Sequence, residues 1–73
     1  MDKHYKDYIQ IGLNIMRYRK EQGLTQEQLA EMIGCTRNHI QRVETAYSKP
    51  TVGLLLDVAK VLDVPVERLL EIR

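Results

Sequence analysis

Apolar residues recur at intervals of three and four along most of the chain, and no stretch shows the alternation of a half-buried β-strand. Ile11 and Ile15 follow this spacing near the beginning, and Leu55, Val58 and Leu62 follow it near the end. A chain of 73 residues has room for one small hydrophobic core. The periodicity therefore predicts a single all-α domain.

Capping residues and helix breakers divide the chain into five helices, which predicts a compact five-helix bundle. We expect the first helix over residues 6–22, because Gly23 is well placed to end it in a left-handed conformation. Thr25 and Gln28 have the spacing of a capping box and open the second helix, which Gly34 ends.

The remaining helices begin at a threonine or a proline. The third is expected from residue 36 or 37 to residue 45, Pro50 with Thr51 opens the fourth, and Pro65 fits the first turn of the fifth. The side chains expected to face the core are Tyr8, Ile11, Ile15, Tyr18, Leu29, Ala30, Ile33, Ile40, Val43, Val52, Leu55, Val58, Ala59, Leu62, Val66, Leu69 and Leu70.

Only a short turn separates the second and third helices, and this limits how they can pack. Ala30 is small where the third helix must cross the second closely, and Gly34 tolerates a positive φ in the turn. Ile40 and Val43 anchor the third helix on the others. A small residue followed by a glycine four positions later, and by branched residues ten and thirteen positions later, is typical of a DNA-binding helix-turn-helix.

The opposite face of the third helix is polar and contains no acid. Asn38 and Arg42 lie four residues apart and project away from Ile40, with Arg37, His39 and Gln41 beside them. Arginine pairs well with the O6 and N7 atoms of guanine, and asparagine pairs well with adenine. This composition favours a surface that contacts base edges, and the alternative is a solvated polar face.

The chain from Ile11 to Leu70 resembles the phage-repressor and Cro type, or XRE-like, family of helix-turn-helix domains. The resemblance rests on the segments IGLNIMRYRKEQGLTQEQLAEMIG, GCTRNHIQRVE, PTVGLLLDVA and LDVPVERLL. It implies a lambda-repressor-like bundle of five helices whose third helix enters the major groove of double-stranded DNA. It also implies a transcriptional regulator, acting as a repressor by operator occupancy and as a homodimer on a palindromic operator. The alternative is a protein-interaction module, such as an antitoxin-like partner, with the same fold.

The resemblance also assigns roles to individual positions of this sequence. The base-reading positions fall on Thr36, Arg37, Asn38 and Arg42. The contacts to the DNA backbone fall on Thr25, Gln26, Tyr47, Ser48 and Lys49, of which the first two open a helix whose free N–H groups suit an anion. His39 is expected apart from the resemblance, as a rim residue near a phosphate of the DNA backbone. A buried ion pair is implied between Arg19 and Glu44. Ala46 stands where the family often has glycine.

Two parts of the chain allow more than one interpretation. Residues 1–10 precede the usual start of the family, so they either lengthen the first helix or form an arm in front of a domain at 11–73. Leu54 and Val61 lie beside the main apolar stripe of the fourth helix, and they either widen the core or join a subunit contact. The other candidate for that contact is the chain end, with Leu70 and Ile72.

Catalytic and metal chemistry find little support in the sequence. Ser48 is the single serine and no histidine has an acid at a convincing spacing, so we expect no enzyme. Cys35 and His39 lie four apart, but a zinc site needs a third ligand, so no metal or cofactor is expected. The lone cysteine and the absence of a signal peptide predict a cytoplasmic protein. The resemblance further implies a nucleoid-associated protein of a bacterium or phage, and the formal net charge of +1 adds almost no clue.

Overall fold

The structure is a computed structural model that describes residues 2–72, and this part of the chain forms five helices. They are α1 (Tyr5–Glu21), α2 (Gln26–Ile33), α3 (Arg37–Glu44), α4 (Val52–Leu62) and α5 (Val66–Leu69). The predicted all-α class and the number of helices are confirmed. Helix α1 begins and ends one residue earlier than predicted, so residues 5–10 are part of this helix.

Threonine side chains set the beginnings of the three middle helices. Thr36 accepts a hydrogen bond from a backbone amide of α3, and Thr51 does the same for α4. At the start of α2 the predicted capping box is complete, because Thr25 and Gln28 each accept a hydrogen bond from the other's amide. Gly34 ends α2 with a φ of 91°, a conformation that is inexpensive only for glycine.

The core lies between the helices. Helix α2 packs against α3 and α4, α1 packs against α3, α4 and α5, and α4 packs against α5. The buried apolar residues of the core are Ile11, Ile15, Leu29, Ala30, Ile40, Val43, Leu54, Leu55, Val58, Ala59, Leu62 and Leu69. Two residues predicted to be inside are not. Val52 is 73% exposed because it precedes the buried stripe of α4, and Leu70 is 44% exposed because it follows the last residue of α5.

The fourth helix contributes more to the core than its predicted stripe. Leu54 is buried, and Val61 is half-buried against the same cluster. Of the two interpretations of these residues, the wider core is therefore the correct one. Leu70 and Ile72 at the chain end are exposed, so of the two surfaces considered for a subunit contact they offer the accessible apolar side chains.

Helix α1 crosses α3 at a glycine that the sequence pattern did not single out. A Cβ atom placed on Gly12 would lie 2.5 Å from the carbonyl oxygen of Glu44 and 2.7 Å from that of Val43. The two helix backbones are thus in direct contact, which only a residue without a side chain permits. Gly12 consequently determines the distance between α1 and the end of α3.

A buried asparagine on α1 holds the end of the chain in place. The amide nitrogen of Asn14 donates hydrogen bonds to the carbonyl oxygens of Leu69, at 3.0 Å, and Glu71, at 2.8 Å. Its own oxygen accepts a hydrogen bond from Gln10. Because these partners satisfy the buried amide, Asn14 attaches α5 and the residues after it to α1 without an unpaired polar group.

The loop after α3 contains a residue other than glycine in the left-handed region. Ala46 has a φ of 62°, and its amide donates to the carbonyl oxygen of Val43 at 3.1 Å. The amide of Ser48 donates to the carbonyl oxygen of Arg42 at 3.1 Å. The loop therefore folds back over the last turn of α3, in a turn whose backbone favours glycine.

Replacing Ala46 with glycine should stabilise the domain by about 0.5–1 kcal/mol, because the relief of left-handed strain exceeds the added entropy of the unfolded chain. Urea unfolding of Ala46→Gly against the wild type measures the difference. Ala59→Gly is a suitable control, since Ala59 is buried inside α4 and its replacement should destabilise the domain. A loss of stability in Ala46→Gly would contradict the expected strain.

Candidate nucleic-acid interface

The outer face of α3 presents the predicted base-reading side chains to solvent. Asn38 and Arg42 are exposed, whereas Ile40 and Val43 on the other side of the helix are 1% and 2% exposed. Arg37 is exposed at the first turn of α3. The described part of this outer face carries no carboxylate, because the helix's one acid is turned inward. It offers donor and acceptor side chains of the types that pair with base edges.

Thr36 and His39 are joined at the start of α3. The hydroxyl oxygen of Thr36 accepts a hydrogen bond from the amide of His39 at 3.1 Å, and both residues are exposed. The Thr36 hydroxyl still has a proton to donate. The cap thus fixes the end of α3 that is predicted to enter the groove, and it leaves the imidazole of His39 free to approach a phosphate at the rim.

At the start of α2 the capping box changes which amides are available. The amide of Thr25 donates to the side chain of Gln28 at 2.9 Å, so it is not one of the free donors that the sequence suggested. The donors at this end are the amides of Gln26 and Glu27, the first two helical positions, which have no acceptor within the helix. They lie at the positive end of the α2 dipole and suit an anionic oxygen.

A buried ion pair joins α1 to α3. Arg19 donates to the two carboxylate oxygens of Glu44 from Nε at 2.6 Å and from Nη2 at 2.9 Å, and the two residues are 6% and 2% exposed. This bidentate geometry is the strong form of the arginine–carboxylate interaction. It also places the negative charge of Glu44 opposite a cation, which offsets its unfavourable position at the C-terminal end of a helix.

The same network reaches the second helix and the turn before it. Arg19 also donates to the carbonyl oxygen of Leu24 at 2.8 Å, and the side chain of Gln26 donates to Glu44 at 3.0 Å. Gln26 was expected at the DNA backbone, but its side-chain amide is half-buried and bonded to the ion pair. Its side chain therefore fixes α2 relative to α3, which positions both helices of the turn.

In the loop after α3, Tyr47 lies beside the guanidinium group of Arg42. Tyr47 is 77% exposed, and its ring centroid is 5.4 Å from the Cζ atom of Arg42, within the range of a cation–π contact. Ser48 is half-buried, because its amide bonds to α3. The loop thus brings an aromatic ring to the edge of the predicted base-reading face.

Lys49, the last of the predicted backbone contacts, already has a partner. Its ammonium group forms an ion pair with the carboxylate of Asp2 and lies 5.8 Å from the ring of Tyr8. The hydrogen bond between Lys49 and Asp2 lowers the pKa of Asp2 and raises the pKa of Lys49. No local pattern connects residues this far apart in sequence, and so the pairing was not predicted.

Residues 2–72 offer little support for a site of another kind. No group of three or more potential metal ligands occurs among them. Cys35 is half-buried against the core, and this burial raises the pKa of its thiol. None of the helices within this range has the length and hydropathy that a membrane span requires.

Two short helices joined by a glycine turn, with an acid-free outer face on the second, define a helix-turn-helix domain. The chain belongs to the XRE-type helix-turn-helix family, since the helix-turn-helix family model matches residues 15–69. This match confirms the resemblance inferred from the sequence motifs. Residues 2–14, which include Asp2 and Gly12, precede the matched region.

Curated relatives agree with this assignment. The HTH-type transcriptional regulator SinR of Bacillus subtilis is 37% identical over 62 residues, which are 84% of this chain and 56% of SinR. Control protein C.SmaI of Serratia marcescens is 40% identical over 57 residues, which are 78% of this chain and 68% of that protein. The chain therefore spans little more than half the length of SinR.

Solved structures of such regulators superpose well on the five helices. The restriction-modification controller protein C.AhdI from Aeromonas hydrophila gives a TM-score of 0.88 at 29% identity, covering 93% of this chain and 99% of that chain. SinR in complex with DNA gives a TM-score of 0.78 at 37% identity, covering 84% of this chain and 98% of that chain. The predicted fold is thus confirmed by two similar proteins.

Proposed function

We propose that this domain binds double-stranded DNA in a sequence-specific manner and regulates transcription, as a repressor that acts by occupying its operator. The observation that carries the proposal is the exposed, acid-free outer face of α3, held in place by the buried pair of Arg19 and Glu44. Similarity to SinR, a transcriptional regulator solved in complex with DNA, supports it. Since the phosphate contacts fall at the ends of α3 and on other elements, the outer face of α3 is left to read the bases.

The side chains of α3 divide base recognition by residue type. Arg37 and Arg42 read guanine, and Asn38 reads adenine or a neighbouring hydrogen-bonding edge. Thr36 donates its remaining hydroxyl proton at the edge of the same contact. Half-sites should therefore contain guanine and adenine at nearby positions.

The contacts to phosphate come from both sides of α3. On one side the free amides of Gln26 and Glu27, which follow Thr25 at the start of α2, receive a phosphate oxygen. On the other side His39, Tyr47, Ser48 and Lys49 follow the strand along the edge of the groove. These contacts set orientation and affinity and carry no sequence information.

On DNA the protein acts as a homodimer on a palindromic operator. One helix-turn-helix reads only a few base pairs, and two that are bound one helical turn apart multiply the specificity. Leu70 and Ile72 at the chain end supply apolar surface for the contact, as they are 44% and 52% exposed.

Selection from a random duplex library tests the proposal directly. We expect one enriched palindrome, with sedimentation showing two chains bound to each copy. One chain per palindrome would contradict the dimer. Enrichment of no duplex, together with stable capture of a protein, would favour the alternative of a protein-interaction module.

Removing the arginine on α3 and removing the lysine in the loop should affect DNA binding differently. Arg42→Ala should weaken operator binding by roughly 1–3 kcal/mol and relax the preference at one base pair. Lys49→Ala should weaken binding to every sequence similarly and reduce the slope of log K against log salt by up to about one. Operators substituted singly at each position, measured at several salt concentrations, separate the two effects.

Lys60 on the exposed side of α4 provides the matched control, since Lys60→Ala removes the same charge away from α3. This variant should leave the preference profile unchanged and alter the salt slope little. If Arg42→Ala weakens all operators equally and keeps the preference profile, Arg42 contacts only phosphate and the assigned division of labour is wrong.

A further inference from the structure

The carboxylate of Asp2 is held at one end of the predicted DNA-binding loop. One of its oxygens accepts a hydrogen bond from the amide of His4 at 2.8 Å, and its backbone carbonyl oxygen accepts one from the amide of Tyr5 at 3.1 Å. These bonds form the turn that opens α1. Because the turn holds the first carboxylate oxygen, it also limits where the second oxygen can lie. This second oxygen pairs with Lys49.

The ammonium group of Lys49 remains open to a second partner. The Lys49 side chain is 63% exposed, whereas that of Asp2 is 26% exposed. The ring centroid of Tyr8 lies 5.8 Å from the ammonium nitrogen, and most of the lysine side chain is open to solvent. A phosphate oxygen can thus approach Lys49, but it must share or displace the carboxylate that already occupies it.

A carboxylate beside a phosphate-binding lysine opposes DNA binding in two ways. It competes for the hydrogens of the ammonium group, and its own charge repels the phosphate. When DNA takes Lys49, the carboxylate left behind attracts a cation from solution, which offsets part of the counterion release that drives binding. Both effects are independent of the base sequence.

We propose that Asp2 is an internal competitor for the DNA backbone, an autoinhibitory contact that limits the affinity of the loop for any duplex by occupying Lys49. The inference rests on the proposed DNA binding and assigns a role to residues before the family-matched region. Its consequence is a lower affinity for DNA in general, with the order of preference among sequences unchanged.

The test compares Asp2→Asn with the wild type on one selected operator and one unrelated duplex, across several salt concentrations. Asparagine keeps an oxygen that can accept from the His4 amide, because Asn and Asp side chains both bond to the backbone two residues on. Because an exposed ion pair is screened by solvent, the affinity should rise only roughly two- to fivefold for both duplexes at low salt. The salt slope should become steeper.

A double-mutant cycle separates this contact from a general effect of charge. In the Lys49→Ala background the gain in affinity from Asp2→Asn should shrink, because only the repulsion between the carboxylate and the phosphate is left to relieve. Glu67→Gln is the matched control, because it removes one exposed negative charge on α5 and should act equally in both backgrounds. Equal affinities of Asp2→Asn and the wild type, or a gain that is undiminished without Lys49, would overturn the proposal.

A measurement without DNA distinguishes this failure from failure of the proposed function. Titration of the Asp2 carboxyl group by NMR should show its pKa rising towards the ordinary value in Lys49→Ala, because the lysine hydrogen bond lowers it. An unchanged pKa would show that the pair does not form, which contradicts the proposal. If the pKa rises and the wild type binds no duplex, it is the proposed DNA binding that fails, and the autoinhibitory role fails with it.

Discussion

Replacing Glu44 with alanine is expected to lower the free energy of unfolding by on the order of 3–5 kcal/mol, the usual cost of removing one partner from a buried ion pair. Arg19 would remain 6% exposed with no carboxylate, and the side chain of Gln26 would lose its acceptor. Small domains are stable by only about 5–15 kcal/mol, so the loss is a large share of the total. Denaturant unfolding followed by circular dichroism measures it.

The exposed pair of Arg17 and Glu21 provides the matched control. Arg17 Nε lies 3.1 Å from Glu21 Oε2, so this pair is also hydrogen-bonded, but both side chains are more than half exposed. Glu21→Ala should therefore cost less than about 1 kcal/mol, as exposed pairs are screened by solvent. A cost below about 0.5 kcal/mol for Glu44→Ala, typical of surface changes, would show that the buried pair does not stabilise the fold as described.

Replacing Gly12 with alanine should destabilise the domain by about 2–3 kcal/mol, at the upper end of the range for an overfilled core. The new methyl group would overlap the carbonyl oxygens of Val43 and Glu44. These are backbone atoms, so no change of side-chain rotamer can relieve the overlap, and α1 must move away from α3. Alanine gains about 1 kcal/mol in helix propensity over glycine, which is too little to compensate.

Gly53 on α4 allows the two effects to be separated. A Cβ atom there would have as its nearest neighbour the hydroxyl oxygen of Thr51 at 3.9 Å, an ordinary contact. Gly53→Ala should therefore stabilise the domain by about 0.5–1 kcal/mol through propensity alone. If Gly12→Ala raises stability in the same way, the close approach of α1 and α3 is not present in solution.

Both predictions concern the position of α3, and so they bear on the proposed DNA binding. Gly12 sets how closely α1 approaches the end of α3, and the pair of Arg19 and Glu44 fixes its rotation relative to α1 and α2. None of these three residues lies on the outer face of α3. Variants that remain folded should consequently bind DNA more weakly while keeping the order of preference among sequences.

The resemblance to a known family supplied more of the candidate site than the residue pattern did. Spacing alone showed that Asn38 and Arg42 share a polar face of one helix, and it left a solvated surface as an alternative. The pairing of Arg19 with Glu44 came from the family, because no local periodicity connects residues in different helices. The structure then brought these two side chains together, and it added Gln26 to the ion pair.

Local interactions determined what the sequence by itself could establish. The capping box of Thr25 and Gln28, and the left-handed glycine at position 34, act between residues at most four apart, so the chain reveals them directly. The apolar repeat likewise identified most of the core. These signals were enough for the all-α class and five helices, and the turn-flanking pattern added the helix-turn-helix.

Only the tertiary structure decided which residues distant in sequence meet. The contact of Gly12 with α3, the bonds from Asn14 to the chain end and the pairing of Asp2 with Lys49 all depend on how helices cross. The exposure of Val52, the first residue of α4, depends on which part of α4 the other helices cover. A crossing geometry is the result of packing many side chains at once, so no single stretch of sequence specifies it.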